Sequence, residues 1–321
     1  MEFRDGGTAM RLCVIIVNYR TPGLVLDALE SLVSQLEAGQ DQALVIDNGS
    51  GDDSADRIEQ AIAARGFARV CRVIRSPRNL GFSAGNNLGI RSVEASYYLL
   101  LNSDTIVRER AIHTLLTEMH RHPGVGIAGP RLESPDATPQ VSCFRDFTPV
   151  SELLRAAKTG PLTQFLDAFD VPLPMSNEAI EADWVSFACA MIRREVIEKI
   201  GLLDEGYFMY FEDSDYCRAA RAAGFRIRYF PRARVVHLRG GTAPDPKYLP
   251  PSLGRAPRYF YASRARYFRK GYGVVGFCLA NAFWQIGRSV SLGRELVGRK
   301  PPHTSQKAWL DNWTDAFKLQ S

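Results

Sequence analysis

A chain of 321 residues, 45% of them hydrophobic, with Lys plus Arg (40) nearly matched by Asp plus Glu (35), can bury a sizeable core, which excludes a disordered chain and a small stapled scaffold. The near balance hides a division: residues 1–225 hold 22 basic and 31 acidic side chains, whereas 226–300 hold 16 basic and two acidic, so the stretches stand at −9 and +14. Such asymmetry implies a binding or catalytic body joined to a surface that meets something anionic.

In chain order, residues 1–10 are polar, without the apolar core of an export signal, and read as a flexible tail. From Leu12 to Pro130, β-branched runs alternate with helical patterns, as in a parallel sheet covered by helices. The runs are Cys13–Val17, Ala43–Ile46, Val70–Ile74, Tyr97–Leu101 and Val125–Ala128. Between them, stripes at Leu24, Ala28, Leu29, Leu32, Val33 and Leu36, at Ile58, Ala61 and Ile62, and at Ile112, Leu115, Leu116 and Met119 predict helices packed on a core. Residues 131–182, rich in Pro, Ser and Asp, read as a loop-rich insertion with one short helix near Ser151–Ala157. Regular structure resumes at Trp184–Arg193, followed by helices at Glu195–Ile200 and Glu212–Ala223 and two short strands, Arg226–Tyr229 and Ala233–His237. The expected organisation is an α/β domain over 11–242 and a basic, amphipathic, helical C-terminal region over 243–321.

Six scattered cysteines, Cys13, Cys71, Cys143, Cys189, Cys217 and Cys278, lack metal-ligand spacing and read as reduced thiols of a cytoplasmic protein. The longest weakly polar stretch, Tyr272–Ile286, has 15 residues. That falls short of the roughly 20 a spanning helix needs.

Open parallel sheets bind ligands beyond the carboxyl ends of their strands, so the polar residues ending each run are the candidates. They are Asn18 and Tyr19, Asp47-Asn48-Gly49-Ser50, Arg78-Asn79 and Asn102-Ser103-Asp104. Asp47 either opens an ordinary turn or accepts hydrogen bonds from a nucleoside. Gly81, Gly85 and Gly89 do not make the GxGxxG dinucleotide fingerprint, although glycine at 81 or 85 would admit a ligand close to the backbone. Asn102-x-Asp104, delivered by an apolar strand, suits Mg²⁺ or Mn²⁺ held against a diphosphate; the alternative is a helix cap. Glu212, Asp213 and Asp215 at a helix start either meet the helix dipole or include a general base. His237, leaving a strand into a Gly-rich loop, is either structural or a metal ligand.

Taken together, IIVNYRTPGLVLDALESL, VIDNGSGDDS, NLGFSAGNN, YYLLLNSDT and WVSFACAMIRREVIEKIGLLDEGYFMYFEDSDYCRAARAAGFRIRYFPRARVVH resemble family 2 glycosyltransferases, most of all the bacterial rhamnosyltransferase-like branch, over about residues 12–242. The resemblance implies a GT-A fold, a mixed but mostly parallel sheet with helices on both faces, and an inverting transfer from a nucleotide-diphosphate sugar. It places Asp47 on the base or ribose, with Asn18, Tyr19, Asn79, Gly81, Asn102 and Asp104 as further donor-side positions. Asp104 and His237 would hold the divalent metal, Mg or Mn, and Asp213 would be the base. Trp184, Glu212 and Asp215 would lie toward the acceptor. Two positions depart from the family pattern. Asn102 stands where an Asp is usual, removing one metal-binding carboxylate, and Phe187-Ala188 stands where Gly-Ala is common, so a ring is expected to narrow the sugar or acceptor pocket.

The implied donor is dTDP-rhamnose, with a UDP-hexose as the alternative, and the implied acceptor is a glycan, free or on a polyprenyl diphosphate, in cell-surface polysaccharide or cell-wall synthesis. A sugar nucleotidyltransferase is disfavoured because VNYRTPG stands where a GxGTRL-like loop would be, and a noncatalytic carbohydrate-binding protein because the acids are retained. From Arg255 to Lys300, ten basic side chains and one acidic are interleaved with aromatic rings. That composition suits peripheral attachment to the anionic inner face of the cell membrane better than nucleic acid, and the alternative is a helical subdomain packed on the body. Homo-oligomerisation is compatible with the sequence.

Overall fold

The computed structural model describes residues 9–239, 255–298, 304, 305 and 307–316. The first eight residues of the expected tail and the expected boundary at 242/243 lie outside the described residues. The chain opens β1 (Met10–Asn18), α1 (Pro22–Val33), β2 (Asp41–Asn48), α2 (Ser54–Ala64), β3 (Cys71–Ser76), α3 (Gly81–Ser92) and β4 (Ala95–Asn102). It continues with β5 (Thr105–Val107), α4 (Ala111–Arg121), β6 (Val125–Glu133), β7 (Pro139–Gln140), β8 (Cys143–Phe144), α5 (Pro149–Ala157), α6 (Gly160–Phe165), β9 (Ile180–Glu181), β10 (Trp184–Val185) and β11 (Cys189–Arg193). It closes with α7 (Arg194–Ile200), α8 (Glu212–Ala222), β12 (Arg226–His237), α9 (Arg258–Leu296) and α10 (Ala308–Asp311).

The main sheet runs β3-β2-β1-β4-β11-β6-β12-β5. Its first four strands are parallel, β11 is antiparallel to both neighbours, β12 is parallel to β6, and β5 is antiparallel to β12. Helices cover both faces, and the pleat of β1 divides its side chains between them: Leu12, Val14 and Ile16 join α1, α2 and α4, while Cys13 and Ile15 join α3, α7, α8 and α9. Leu12 through Ile16 are all fully buried, and each large aliphatic among them contributes about 1.5–3 kcal/mol of burial.

One element forms against its local propensity and another differs from the sequence expectation. GFSAGNNLGIRS is a full helix, α3, despite three glycines and two asparagines of low helix propensity. Packing overrides propensity there: a Cβ on Gly89 would lie 2.7 Å from Ile15 Cγ2, so only glycine lets α3 sit this close to β1. The two short strands expected after Gly224 are one strand, β12, whose register with β6 shifts between Phe230 and Arg234 around Pro231.

In the insertion, α5 begins with a capping box between Thr148 and Ser151, has Pro149 in its first turn, and packs along α9. The C-terminal helix α9 has 39 residues and kinks at Gly273, whose φ is 67°. Among the described residues no helix is long and apolar enough to cross a membrane. All six cysteines are unpaired, and only Cys278 is exposed.

Candidate active site

The ends of β1, β2 and β4 form one connected polar edge. Strand register sets Asn18 beside Asp47 and Val17 beside Asn102. Asn18 Nδ2 donates to Asp47 Oδ1 (2.8 Å) and Ser50 Oγ (3.2 Å), and Ser50 Oγ donates to Asp47 Oδ1 at 2.5 Å. Asp47 Oδ2 receives only the long Ser50 N–H bond of 3.4 Å among the described residues, so it is the oxygen with acceptor capacity to spare. Arg20 follows Tyr19, donates from Nε to Ser50 O (2.8 Å) and sets its guanidinium over the Tyr19 ring. Thr21 and Ser103 hydroxyls lie 3.3 Å apart and join this cluster to the β4 loop.

Asn79 and Gly81 build the turn into α3. Asn79 Oδ1 accepts from Asn48 Nδ2 (3.0 Å) and from Gly81 N–H (2.9 Å). Gly81 has φ 86°, and a Cβ there would run into the Phe208 backbone, 2.8 Å from its carbonyl carbon. The chain it approaches is therefore its own.

The antiparallel pairing of β5 with β12 sets His237 opposite Thr105 and brings His237 Nε2 to 3.5 Å from Asp104 Oδ1. Leu238 N–H donates to Asp104 O, and Asn102 N–H donates to Ala188 O, each at 2.9 Å. Gln140, from the short strand β7, steadies the same corner: its Nε2 donates to His237 O (2.9 Å) and its Oε1 accepts from Arg239 Nε (2.7 Å). A carboxylate oxygen and an imidazole nitrogen facing one another on paired strands are donors that suit Mg²⁺ or Mn²⁺, and Asn102, partly exposed, sits beside them.

The three acids at the start of α8 have different surroundings. Asp215 is buried and committed, accepting from Lys270 Nζ (2.6 Å) and Arg218 Nη2 (3.1 Å). Glu212 is buried, and burial, with the neighbouring Asp213 charge, raises its carboxyl well above the usual range. Asp213 alone of the three is not buried, and its Oδ1 accepts the Ser214 N–H at 2.8 Å.

Trp184 lies inside, stacked on Phe144 with centroids 4.0 Å apart, its Nε1 donating to Arg145 O. Phe187, expected to narrow a pocket, is buried in the core edge-on to Tyr216; the ring fills space under α8 rather than lining an opening. Thr21, Gln140 and Arg239 carried no separable signal in the sequence. A glutamine in a loop-rich insertion looks like an ordinary polar residue until the strands place it.

A profile for "Glycosyl transferase family 2" matches residues 13–201. The chain is 28% identical over 236 residues to the low-salt glycan biosynthesis hexosyltransferase Agl10 of Haloferax volcanii, covering 70% of this chain and 66% of that protein. It is 26% identical over 313 residues to the N-acetylglucosaminyl-diphospho-decaprenol L-rhamnosyltransferase of Mycobacterium tuberculosis, covering 92% and 95%. Among solved structures, GalNAc-T7 with UDP, GalNAc and Mn²⁺ superposes with a TM-score of 0.59 at 15% identity, over 92% of this chain and 56% of that one. Matched by the family profile over more than half of its length, the protein belongs to glycosyl transferase family 2 and is a glycosyltransferase of the GT-A fold.

Proposed function

We propose that the protein transfers a sugar from a nucleotide-diphosphate donor to a hydroxyl of a glycan or lipid-linked glycan, with inversion at the anomeric carbon, during assembly of cell-surface polysaccharide or cell wall. The observation that carries this reading is the Asp104–His237 pair, 3.5 Å apart, one strand loop from the Asn18–Asp47–Ser50 cluster. The cluster suits the nucleoside, with Asp47 Oδ2 as acceptor, and the pair suits a divalent cation. When bound, that cation would offset charge on the departing diphosphate.

The chain's own residues take the other part. The carboxylate of Asp213 accepts the acceptor hydroxyl's proton, the freed oxygen forms its bond to the anomeric carbon, and the bond to the diphosphate oxygen breaks with its electron pair leaving on the nucleoside diphosphate. A donor of the dTDP-rhamnose type is favoured by the relative named a rhamnosyltransferase, and a UDP-hexose by the one named a hexosyltransferase.

A panel of dTDP-rhamnose, UDP-glucose and UDP-N-acetylglucosamine, read by donor hydrolysis and thermal stabilisation with Mg²⁺ or Mn²⁺, tests the reading. Asp213→Asn should keep donor binding and lose turnover by about 10²-fold or more. Turnover retained in that variant would refute the base.

A polyprenyl-diphosphate-linked acceptor would bring the protein to the inner face of the membrane. The support is apolar: Val275, Leu279, Ile286 and Leu296 recur along one exposed side of α9, and Trp309 on α10 is also exposed. Val275→Asp with Leu279→Asp should release the protein from sedimenting phosphatidylglycerol vesicles, and unchanged co-sedimentation would end the idea.

A further inference from the structure

The two residues before α8, Tyr210 and Phe211, have φ of 72° and 69°. Consecutive non-glycine residues in the left-handed region cost about 1–2 kcal/mol each, so surrounding contacts must hold them there. One hold comes from α3, where Phe82 N–H donates to Phe208 O at 2.7 Å. The other comes from the first turns of α9. Ser263 Oγ donates to Met209 O at 2.9 Å. The Tyr259 ring lies against Phe208 (5.3 Å) and stacks on Tyr210 (6.0 Å, 14°), and the Phe260 ring contacts both Tyr210 and Phe211 at 5.7 Å. Beyond Asp213, Ser214 Oγ donates to Tyr267 OH (3.2 Å). The C-terminal helix therefore grips the chain immediately before and immediately after the proposed base.

We propose that the start of α9 belongs to the catalytic apparatus, with Tyr259, Phe260 and Ser263 as positioning residues that set the direction of α8 and thereby aim Asp213. The proposal rests on the reading of Asp213 as the base. Its physical content is that the left-handed pair turns the chain into α8. Without the rings and the Ser263 bond, the pair relaxes toward ordinary backbone and the carboxylate moves. A displacement of about 1 Å at a reacting group is enough to cost on the order of 10²-fold in rate. The donor edge is built from β1, β2 and β4, whose polar ends are joined by bonds among Asn18, Asp47, Ser50, Thr21 and Ser103, so nucleotide affinity is expected to stand apart from this effect.

Ser263→Ala removes one hydrogen bond with little change of volume, Tyr259→Leu removes the stacked ring, and Tyr259→Phe keeps it. With the nucleotide-sugar turned over by the wild type, kcat should fall by roughly tenfold in Tyr259→Leu and by less in Ser263→Ala. Affinity for dTDP or UDP and the melting midpoint should stay at wild-type values, the acid limb of the kcat–pH profile should move, and Tyr259→Phe should keep the wild-type kcat and acid limb. Unchanged kcat in Tyr259→Leu and Ser263→Ala would overturn the proposal. A fall in kcat that merely tracks lost nucleotide affinity and a lower melting midpoint would do the same. Asp213→Asn measured alongside separates the two levels: turnover surviving there removes the base itself, whereas a dead Asp213→Asn with an unimpaired Tyr259→Leu removes only the role of α9.

Discussion

Replacing Glu152 with alanine tests whether the C-terminal helix is an appended tail or a structural part of the enzyme. Glu152, on α5, is 1% exposed; it accepts from Arg155 Nε and Nη2 (3.0 and 2.6 Å) and from Arg264 Nε (3.0 Å), with Arg264 Nη2 2.9 Å away. Arg264, on α9, is fully buried, and its other hydrogen bonds go to Asn281 Oδ1 and, more distantly, Asn312 O. In Glu152→Ala the Arg155 guanidinium, about a third exposed, can turn toward water. Arg264 cannot, and a buried cation left without its anion costs about 3–5 kcal/mol. That is a large share of the 5–15 kcal/mol typical of a folded protein. Guanidinium denaturation followed by tryptophan fluorescence, with Trp284 buried on α9, should show the midpoint fall accordingly. Glu152→Leu combined with Arg264→Met removes both charges and should recover most of the loss. A single-variant cost below about 1 kcal/mol, the range of an exposed pair, would refute the argument, as would a double variant no better than the single one.

The same carboxylate sets a pH dependence. Burial alone would raise Glu152, but Arg155 and Arg264 overcome it and hold its carboxyl below the usual range. Its contribution is therefore present above the unfolded value of about 4.3 and lost as pH falls through the lower folded value, so Glu152→Gln should flatten the acid limb of a denaturation-midpoint profile. Gly89→Ala should destabilise by about 1–3 kcal/mol in denaturant, because its Cβ would press Ile15, whereas helix propensity alone would have it stabilise by about 1 kcal/mol; a gain in stability would refute the close-packing account. His237→Ala should abolish the extra melting shift that Mn²⁺ gives to a nucleoside diphosphate while leaving the shift from nucleotide alone, and an undiminished Mn²⁺ shift would remove His237 from the site.

The parallel strands were legible because burial on both faces requires continuous apolar runs, and Cys13–Val17 and Tyr97–Leu101 are such runs ending in polar residues. What was hidden depends on contacts between distant residues. The reason for the glycine at 89 on α3 shows only in the fold, where Ile15 leaves no room for a larger residue. Pro231 reads as the gap between two strands, yet β12 passes through it on a register shift. Nothing in the local sequence of Glu212-x-x-Asp215 ranks the three acids; the fold separates their surroundings, burying Glu212, pairing Asp215 with two cations and leaving Asp213 partly exposed. Likewise Asp104 and His237 meet only because β5 pairs with the far end of β12.

The charge division at the start of the chain has a related explanation. The basic stretch was read as facing an external anion, but many of its cations meet acids of the body. Arg226 lies beside Glu181, Arg234 beside Glu133, Arg264 beside Glu152, Arg266 beside Asp204, and Lys270 beside both Asp204 and Asp215. Others are matched within the C-terminal region, Arg255 with Asp311, Arg258 with Asp315 and Arg288 with Glu295. Two oppositely charged stretches of one chain thus partly neutralise each other, Arg226 and Arg234 within the sheet domain and Arg264, Arg266 and Lys270 across its interface with α9. Most of these pairs join a partly exposed cation to a more buried acid; those on α9 direct the helix to one place, and the fully buried Arg264–Glu152 pair anchors it there. An argument for a membrane from charge counts alone is weakened where eight of the 16 cations in residues 226–300 pair with acids of the protein itself. What remains for a lipid surface is the uncharged face of α9, and hydrophobic insertion of that kind resists salt that would screen an electrostatic attachment.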